Sequence, residues 1–152
     1  MTKTSLELVT EEEIEELKIR VLKAKEFAYC PYSKFHVGCT ILTKNGKYFN
    51  GCNVENASYP AGICAERTAI TKAISEGEKE FKIIAVITDS IKCSSPCGIC
   101  RQVIREFAGS NIHNGKSLQL PIIMFNNDAS EKIIKTIDEL LPNSFGPEDL
   151  FN

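Results

Sequence analysis

Two apolar runs rich in β-branched residues constrain the fold of this chain more than any other feature. They are FKIIAVITD at 81–89 and LPIIMFN at 120–126. A strand without alternating polar residues is typical of a sheet that is covered on both faces. We therefore expect both runs to form interior strands, with helices packed on either side of one sheet.

Three stretches carry helical patterns. Thr10 and Glu13 match a capping box, and apolar residues recur behind them at helical spacing as far as Ala28. The stretches 65–77 and 97–108 predict two further helices, the first ending at its glycine and the second beginning after a proline. The helices therefore alternate with the apolar strands along the chain.

A β-hairpin is predicted before the first interior strand. The stretches 35–43 and 47–55 are rich in β-forming residues and are joined by Lys44-Asn45-Gly46, in which the Asn-Gly pair favours a tight turn. The order of elements predicts an α/β fold, a three-layer α-β-α sandwich around a mixed sheet. The later stretch EKIIKTIDELL fits a helix by its apolar spacing and a fifth strand by its β-branched residues, so the pattern leaves both open.

Length and charge narrow the class of protein. A chain of 152 residues is long enough to form a single domain, 1–152, with its own core. A net charge of −2 provides no basic field for a long nucleic acid. No apolar run approaches the ~20 residues that cross a bilayer, and the N-terminal residues do not match a targeting peptide. We expect a cytoplasmic protein with no nucleic-acid or membrane partner.

The arrangement of cysteines predicts a metal site. Cys97 and Cys100 have the spacing of metal ligands, although such a pair also fits a redox dithiol or two buried cysteines. Cys64 begins another predicted helix, so two helix N-termini can bring three thiols to one point. Helix N-termini favour thiolates, and a third sulfur favours zinc over redox exchange, which needs only two.

The number of ligands separates a catalytic zinc from a structural one. Three protein ligands leave the fourth tetrahedral position for water, whereas a structural zinc usually has four protein ligands. Cys93 and His113 are the candidates for a fourth ligand, and we expect both to be unligated. His113 belongs to a polar stretch, 109–118, that is predicted to be a surface loop.

Two charged residues next to the cysteines have predicted roles. Glu66 follows Cys64 by two positions and is placed for general acid and base catalysis, although a glutamate in a first helical turn is otherwise an ordinary surface residue. Three thiolates and Zn²⁺ sum to −1, so a cation is expected beside the sulfurs. Arg67 and Arg101 are both adjacent to ligands, and we expect Arg67 to supply the charge.

Four linked motifs resemble one enzyme family. CAERTA and PCGIC, with GCNVENASYPAGI and SFGPEDL, are similar to the small homotetrameric cytidine deaminases, over about Tyr29 to Leu150. The resemblance implies one Zn²⁺ per subunit and hydrolytic deamination of cytidine and deoxycytidine to uridine and deoxyuridine plus ammonia, in pyrimidine salvage. It also implies a five-stranded sheet with its fifth strand near Lys132 to Thr136, followed by a short helix.

The resemblance further implies the residues of the active site. Metal ligands are Cys64, Cys97 and Cys100, with Glu66 catalytic and Arg67 beside the sulfurs. Substrate contacts are Phe35, Asn53, Glu55, Tyr59, Ala65 and Phe145. Of these, Phe35 lines the base pocket, the backbone around Ala65 reads the base, and Tyr59 and Phe145 come from neighbouring subunits of a homotetramer with shared active sites.

The resemblance also implies that Asn53 and Glu55 hold the ribose 3′-hydroxyl. Alternation along a strand reaching residue 55 would place both side chains on one face, although a polar strand end entering a loop is the plainer interpretation. Two other functions compete with nucleoside deamination. A structural zinc module needs a fourth protein ligand, and a polynucleotide-editing deaminase needs a basic groove.

Overall fold

A computed structural model describes residues 6–109 and 119–150, and a five-stranded sheet lies at its centre. The strands are β1 (Val37–Thr43), β2 (Tyr48–Cys52), β3 (Phe81–Thr88), β4 (Pro121–Phe125) and β5 (Lys132–Thr136). They lie in the order β2-β1-β3-β4-β5. Strands β3 and β4 run parallel and the other neighbours run antiparallel, which confirms the predicted mixed sheet.

Helices cover both faces of this sheet. They are α1 (Glu11–Glu26), α2 (Ala65–Ser75), α3 (Gly98–Glu106) and the short α4 (Ile137–Leu140). The residues of β3 explain why its sequence is apolar throughout. Ile83, Ala85 and Ile87 pack with α1, whereas Ile84 and Val86 pack with α2 and α3 on the other face. The predicted α-β-α sandwich is therefore confirmed.

The ends of α1 and α2 follow their sequence signals closely. The Thr10 hydroxyl accepts from Glu13 N at 3.2 Å, and Thr10 N donates to the Glu13 carboxylate at 2.9 Å, so the capping box is confirmed. The predicted glycine, Gly77, has φ +90° and lies one residue after the C-cap of α2. Gly77 N and the next amide bond back to carbonyls of the last turn, which closes the helix.

A close contact with the sheet fixes the position of α2, the helix that follows Cys64. Gly51 of β2 lies directly against it, and a Cβ atom there would come within 2.6 Å of the Ala65 oxygen. Glycine is therefore required by the packing distance. The contact brings the first turn of α2 against the sheet and places the N-terminus of this helix near the strand ends.

Two boundaries differ from the predictions. Strand β2 ends at Cys52, so Asn53 and Glu55 lie beyond it, in a segment where only Val54 forms bridges, with Tyr29 and Ile63. The strand-alternation argument for these two residues was therefore wrong. Helix α1 ends at Glu26, so Ala28 lies outside it.

The ambiguous stretch after residue 130 forms β5 and then α4, as the family resemblance implied. β5 is an edge strand with mostly exposed side chains, and Thr136 caps α4 through a second capping box with Glu139. A helix long and apolar enough to span a bilayer does not occur within 6–109 or 119–150.

Candidate metal centre and active site

Three cysteine sulfurs form a compact cluster at the N-termini of two helices. The Sγ atoms of Cys64, Cys97 and Cys100 all lie within 4.8 Å of one another, and those of Cys64 and Cys97 are 3.9 Å apart. Tetrahedral zinc with Zn–S bonds of about 2.3 Å requires sulfurs about 3.8 Å apart. The cluster therefore has the donor type and the spacing that zinc requires.

The helices place these sulfurs because two of the cysteines are N-cap residues. Cys64 caps α2 and Cys97 caps α3, and neither side chain makes a capping hydrogen bond to its own helix. Both thiols are thus left to face each other. Cys100 follows one turn into α3 and is fully buried, while Cys97 is exposed. The metal site consequently lies at the surface with one deeply embedded ligand.

The protonation states of the thiols show why the cluster needs a cation. Hydrogen bonding from Cys100, with smaller contributions from Arg67 and Cys97, lowers the pKa of Cys64 to about 5. The same pairing and burial hold the pKa of Cys100 far above its usual value. One thiolate forms readily, but further negative charge there requires a compensating ion. A divalent metal supplies that charge and permits all three sulfurs to ionise.

Glu66 is buried next to this cluster. It is 4% exposed and lies in the first turn of α2. Burial raises the pKa of its carboxyl to about 7, with a further contribution from the neighbouring Cys64 thiolate. A carboxyl group with a pKa near 7 exchanges protons readily at neutral pH, which is the property required of a general acid and base.

Arg67, not Arg101, contacts a cysteine sulfur. Arg67 Nη2 donates to Cys64 Sγ at 3.5 Å, and interaction with the thiolates holds the pKa of Arg67 above its ordinary value. Arg101 instead donates to the backbone oxygens of Pro96 and Leu140 and to Ser95 Oγ. Arg101 therefore fixes the loop before α3, and the predicted choice between the two arginines agrees with these contacts.

Of the two candidates for a fourth ligand, the structure describes only Cys93. Cys93 is half-buried and packs against the hydrophobic core. His113 and most of its loop fall outside the residues that the structure describes. Among residues 6–109 and 119–150, no fourth histidine, cysteine or carboxylate joins the group of three cysteines. Within the described residues the cluster thus offers three protein ligands, which is the number typical of a catalytic zinc site.

Asn53 and Glu55 hold the segment that precedes β1. Asn53 Oδ1 accepts from Val37 N at 2.9 Å, and its Nδ2 donates to Phe35 O at 2.8 Å. Glu55 Oε1 accepts from the backbone amides of Tyr32 and Ser33 at 3.0 and 3.1 Å. Hydrogen bonding from Ser33 lowers the pKa of Glu55, so the carboxylate is ionised.

The sequence did not predict these hydrogen bonds, because the backbone groups that Asn53 and Glu55 contact lie far from them along the chain. The contacts join residues 16 to 23 positions apart, a separation that carries no periodic signal. Asn53 retains one amide hydrogen and a lone pair, and Glu55 retains its second oxygen. Both side chains can therefore bind a ligand while they hold the backbone.

A cavity of about 340 Å³ lies beside Glu55, and its lining is Tyr32, Ser33, Glu55, Asn56, Tyr59 and Gly62. Tyr32 and Tyr59 make an edge-to-face contact there, with ring centroids 5.8 Å apart. The structure thus brings Glu55 and Tyr59 together. Tyr59 is nevertheless 74% exposed, and Phe35 and Phe145 are exposed as well.

Comparison with known proteins agrees with this geometry. Residues 11–115 match the family model described as "Cytidine and deoxycytidylate deaminase zinc-binding region". The chain is similar to a cytidine deaminase from Sporosarcina psychrophila, with 44% identity over 91% of this chain and 95% of that relative. It is 41% identical to a probable cytidine deaminase from Dictyostelium discoideum, over 93% and 90% of the two chains.

Solved structures give the same result. A crystal structure of cytidine deaminase from Burkholderia pseudomallei matches with a TM-score of 0.78 and 37% identity. The match covers 90% of this chain and 100% of that one. The cytidine deaminase from Mycobacterium leprae matches with a TM-score of 0.68 and 28% identity, over 86% and 98% of the two chains.

Proposed function

Because this chain belongs to the cytidine and deoxycytidylate deaminase family, whose members are zinc-dependent hydrolases, we propose that it deaminates both cytidine and deoxycytidine. Water is the cosubstrate, and the products are uridine or deoxyuridine and ammonia. One observation carries the proposal: three sulfurs spaced for one zinc ion lie beside a buried carboxyl group with a pKa of about 7. The two groups together provide metal-assisted hydrolysis with proton transfer.

The residues that would hold the metal are Cys64, Cys97 and Cys100. When bound, zinc supplies Lewis acidity that makes water a nucleophile at neutral pH. The chain itself prepares the site, because two helix N-termini and the guanidinium of Arg67 stabilise the thiolate form of Cys64. In our proposal Arg67 also withdraws negative charge from the sulfurs and so keeps the centre electrophilic.

Glu66 is proposed to carry the protons. Its carboxylate accepts a proton from the attacking water as the oxygen bonds to C4 of the cytosine ring. It delivers that proton to N3, then takes the proton of the new C4 hydroxyl and passes it to the amino group, so that the C4 carbonyl forms, the C4–N bond breaks and ammonia leaves. The pKa of about 7 allows Glu66 to act in both directions without a large free-energy barrier.

Substrate recognition is proposed for the residues around the segment before β1. Asn53 and Glu55 bind the 3′-hydroxyl of the sugar with the polar atoms that their backbone contacts leave free. Phe35 packs on the base, which the backbone at Ala65 reads. Cytidine and deoxycytidine both carry a 3′-hydroxyl, and recognition at that position therefore accepts either nucleoside.

The exposed aromatic residues support a shared active site. Tyr59 is 74% exposed and Phe145 is 57% exposed, although both are large enough to bury substantial apolar surface. We propose that each completes the pocket of a neighbouring subunit in a homotetramer. A single catalytic domain over 1–152, a cytoplasmic location and a role in pyrimidine salvage belong to the same proposal.

The decisive experiment measures ammonia release and the loss of cytidine absorbance with the purified protein and added zinc. Deoxycytidine and a cytosine-containing oligonucleotide are tested beside free cytidine. We expect turnover of both nucleosides and none of the oligonucleotide. A zinc-loaded protein that releases no ammonia from either nucleoside would refute the proposal and favour a structural zinc module. Turnover of the oligonucleotide alone would favour a polynucleotide-editing enzyme.

A further inference from the structure

Helix α3 holds the C-terminal segment of the chain, residues 144–149, through a buried arginine. Arg105 is 3% exposed. Its Nε donates to Ser144 Oγ at 2.8 Å, and its Nη2 forms an ion pair with Glu148. A buried guanidinium is unfavourable unless its donors are satisfied, so this contact requires that the C-terminal segment stay in place.

The segment lies flat on the guanidinium because of Gly146. A Cβ atom at Gly146 would overlap the guanidinium carbon and both terminal nitrogens of Arg105. Its φ of −150° is extended backbone that any residue adopts, so conformation does not require glycine here. Close approach to Arg105 is what requires it.

These contacts fix Phe145 from both sides. Ser144 and Gly146 are held by Arg105, and Gln102 Nε2 donates to the Phe145 oxygen at 3.1 Å. The Phe145 side chain itself remains 57% exposed. The backbone around Phe145 is therefore held by two side chains of α3, Arg105 and Gln102, while the aromatic ring stays largely exposed.

The same helix also carries two of the three cysteines. Cys97 caps α3, and Cys100 lies five residues before Arg105, a helical rise of about 7.5 Å. Any shift of α3 would thus move both the metal ligands and the C-terminal segment. Helix α3 therefore connects the metal cluster of a subunit with the exposed Phe145 of the same subunit.

We propose that Arg105 is a positioning residue that, together with Gly146, directs Phe145 into the nucleoside pocket of a neighbouring copy of this chain. This inference rests on the proposed function and on its shared active sites. Arg105 then acts in trans, because it supports substrate binding in another subunit. Cys97 and Cys100 of the same helix instead bind the metal of their own subunit.

Two substitutions test the contact. Arg105→Lys keeps the buried positive charge for Glu148 but loses the fork of donors that also reaches Ser144. Gly146→Ala removes no charge and no donor but displaces the guanidinium. We expect each to raise KM for cytidine about tenfold, with a smaller change in kcat. Gly109→Ala is the matched control, since a Cβ there has open space around it.

Zinc content and thermal unfolding are measured on every variant. We expect one zinc per chain throughout, because the cysteines are unchanged. A loss of zinc with unchanged KM would show that Arg105 supports only its own metal site and would overturn the inference. Unchanged kinetics in both variants would overturn it as well. If Arg105→Lys does not fold, Gly146→Ala carries the same test.

Mixed assemblies test the action in trans. Arg105→Lys chains and Glu66→Gln chains are coexpressed with different affinity tags, and assemblies that carry both tags are isolated. In them an intact Glu66 occurs only on Arg105→Lys chains, and a correctly held Phe145 only on Glu66→Gln chains. We expect part of the activity to recover the wild-type KM.

Two results of the mixing experiment would refute the inference: activity that shows only the raised KM, or failure to isolate any assembly with both tags. The proposed function is judged separately on the wild-type protein. Absence of wild-type turnover would refute that function, whereas normal wild-type turnover with unaffected variants would refute only the role of Arg105.

Discussion

The side-chain amide of Asn53 donates a hydrogen bond to the backbone oxygen of Phe35 at 2.8 Å. Through its oxygen the same side chain accepts from Val37 N, so it bridges the backbone on both sides of His36. A residue proposed to bind the sugar therefore also holds the residue proposed to contact the base. In the proposed function, Asn53 therefore contributes both to substrate binding and to the local backbone structure.

Asn53→Asp separates these contacts. The carboxylate can still accept from Val37 N, but it cannot donate to the Phe35 oxygen and repels it. We expect a loss of unfolding free energy of about 1–3 kcal/mol, together with a higher KM for cytidine, measured by denaturant titration and steady-state kinetics. Asn50→Asp is the control, because the Asn50 side chain acts as acceptor for Thr40 and keeps that role. Equal effects at both positions would contradict the bridging role.

Glu66→Gln tests proton transfer directly. The amide fits the same buried space but cannot exchange protons, so we expect turnover to fall by about 10²–10⁴-fold or more while zinc is retained. Activity and metal content are measured on the same preparation. A variant that loses zinc, or one that keeps most of its activity, would contradict the assignment.

Burial of Glu66 also predicts a pH dependence of stability in the metal-free protein. Its pKa is about 7 in the fold against an ordinary value of 4.5, so the folded state binds more protons between these values. The stability that comes from the neutral carboxyl is complete below pH 4.5 and is lost as pH rises to about 7. Unfolding titrations should show Glu66→Gln gaining stability over wild type across this range. A constant difference between the two proteins would argue against the raised pKa.

Removal of single thiols distinguishes ligands from structural cysteines. Cys100→Ser should abolish stoichiometric zinc binding and activity, because a neutral hydroxyl is a poor zinc ligand and the position is buried. Cys93→Ser is the matched control and should bind zinc normally. Metal analysis after dialysis against a chelator and zinc readdition provides the measurement. Normal zinc content in Cys100→Ser would exclude the proposed ligand set.

Arg67→Ala removes the cation from the Cys64 sulfur. We expect kcat to fall by about tenfold or more because the charge-assisted hydrogen bond is lost from a partly buried site. Lys72→Ala on the same helix serves as the control, since Lys72 contacts a backbone oxygen of β2. Zinc content and turnover equal to wild type in Arg67→Ala would remove Arg67 from the mechanism.

Ionised Asp89 should stabilise the fold, and we expect this contribution to be lost at acid pH. Partial burial opposes ionisation, but hydrogen bonds from the backbone and ring of His36, with Lys25 nearby, lower the pKa of Asp89. Its contribution to stability is therefore present above the ordinary pKa of 3.8 and lost as pH falls further. The stability difference between wild type and Asp89→Asn should be large at pH 6 and should shrink in acid. Asp138→Asn, which changes an exposed carboxyl group, is the control.

Local chemistry made much of this protein predictable from its sequence. The capping box at Thr10, the turn at Gly46 and the apolar strand that became β3 are signals carried by neighbouring residues, and all three occur in the structure as expected. The cysteine spacing belongs to the same class, because Cys97 and Cys100 are one helical turn apart. These features depend on the backbone conformation of a few consecutive residues.

The contacts that complete the site depend instead on how distant segments pack. The sequence alone predicted that Cys64, Cys97 and Cys100 share a zinc ion with Glu66 beside it, and the structure brings the three sulfurs to zinc spacing. Only the tertiary structure decided that Asn53 clamps the backbone at Phe35 and that Arg105 secures the segment carrying Phe145. The physical reason is that such bonds form between groups that sheet register and helix packing bring together. The spatial distance between these groups is not encoded in any pattern of neighbouring residues.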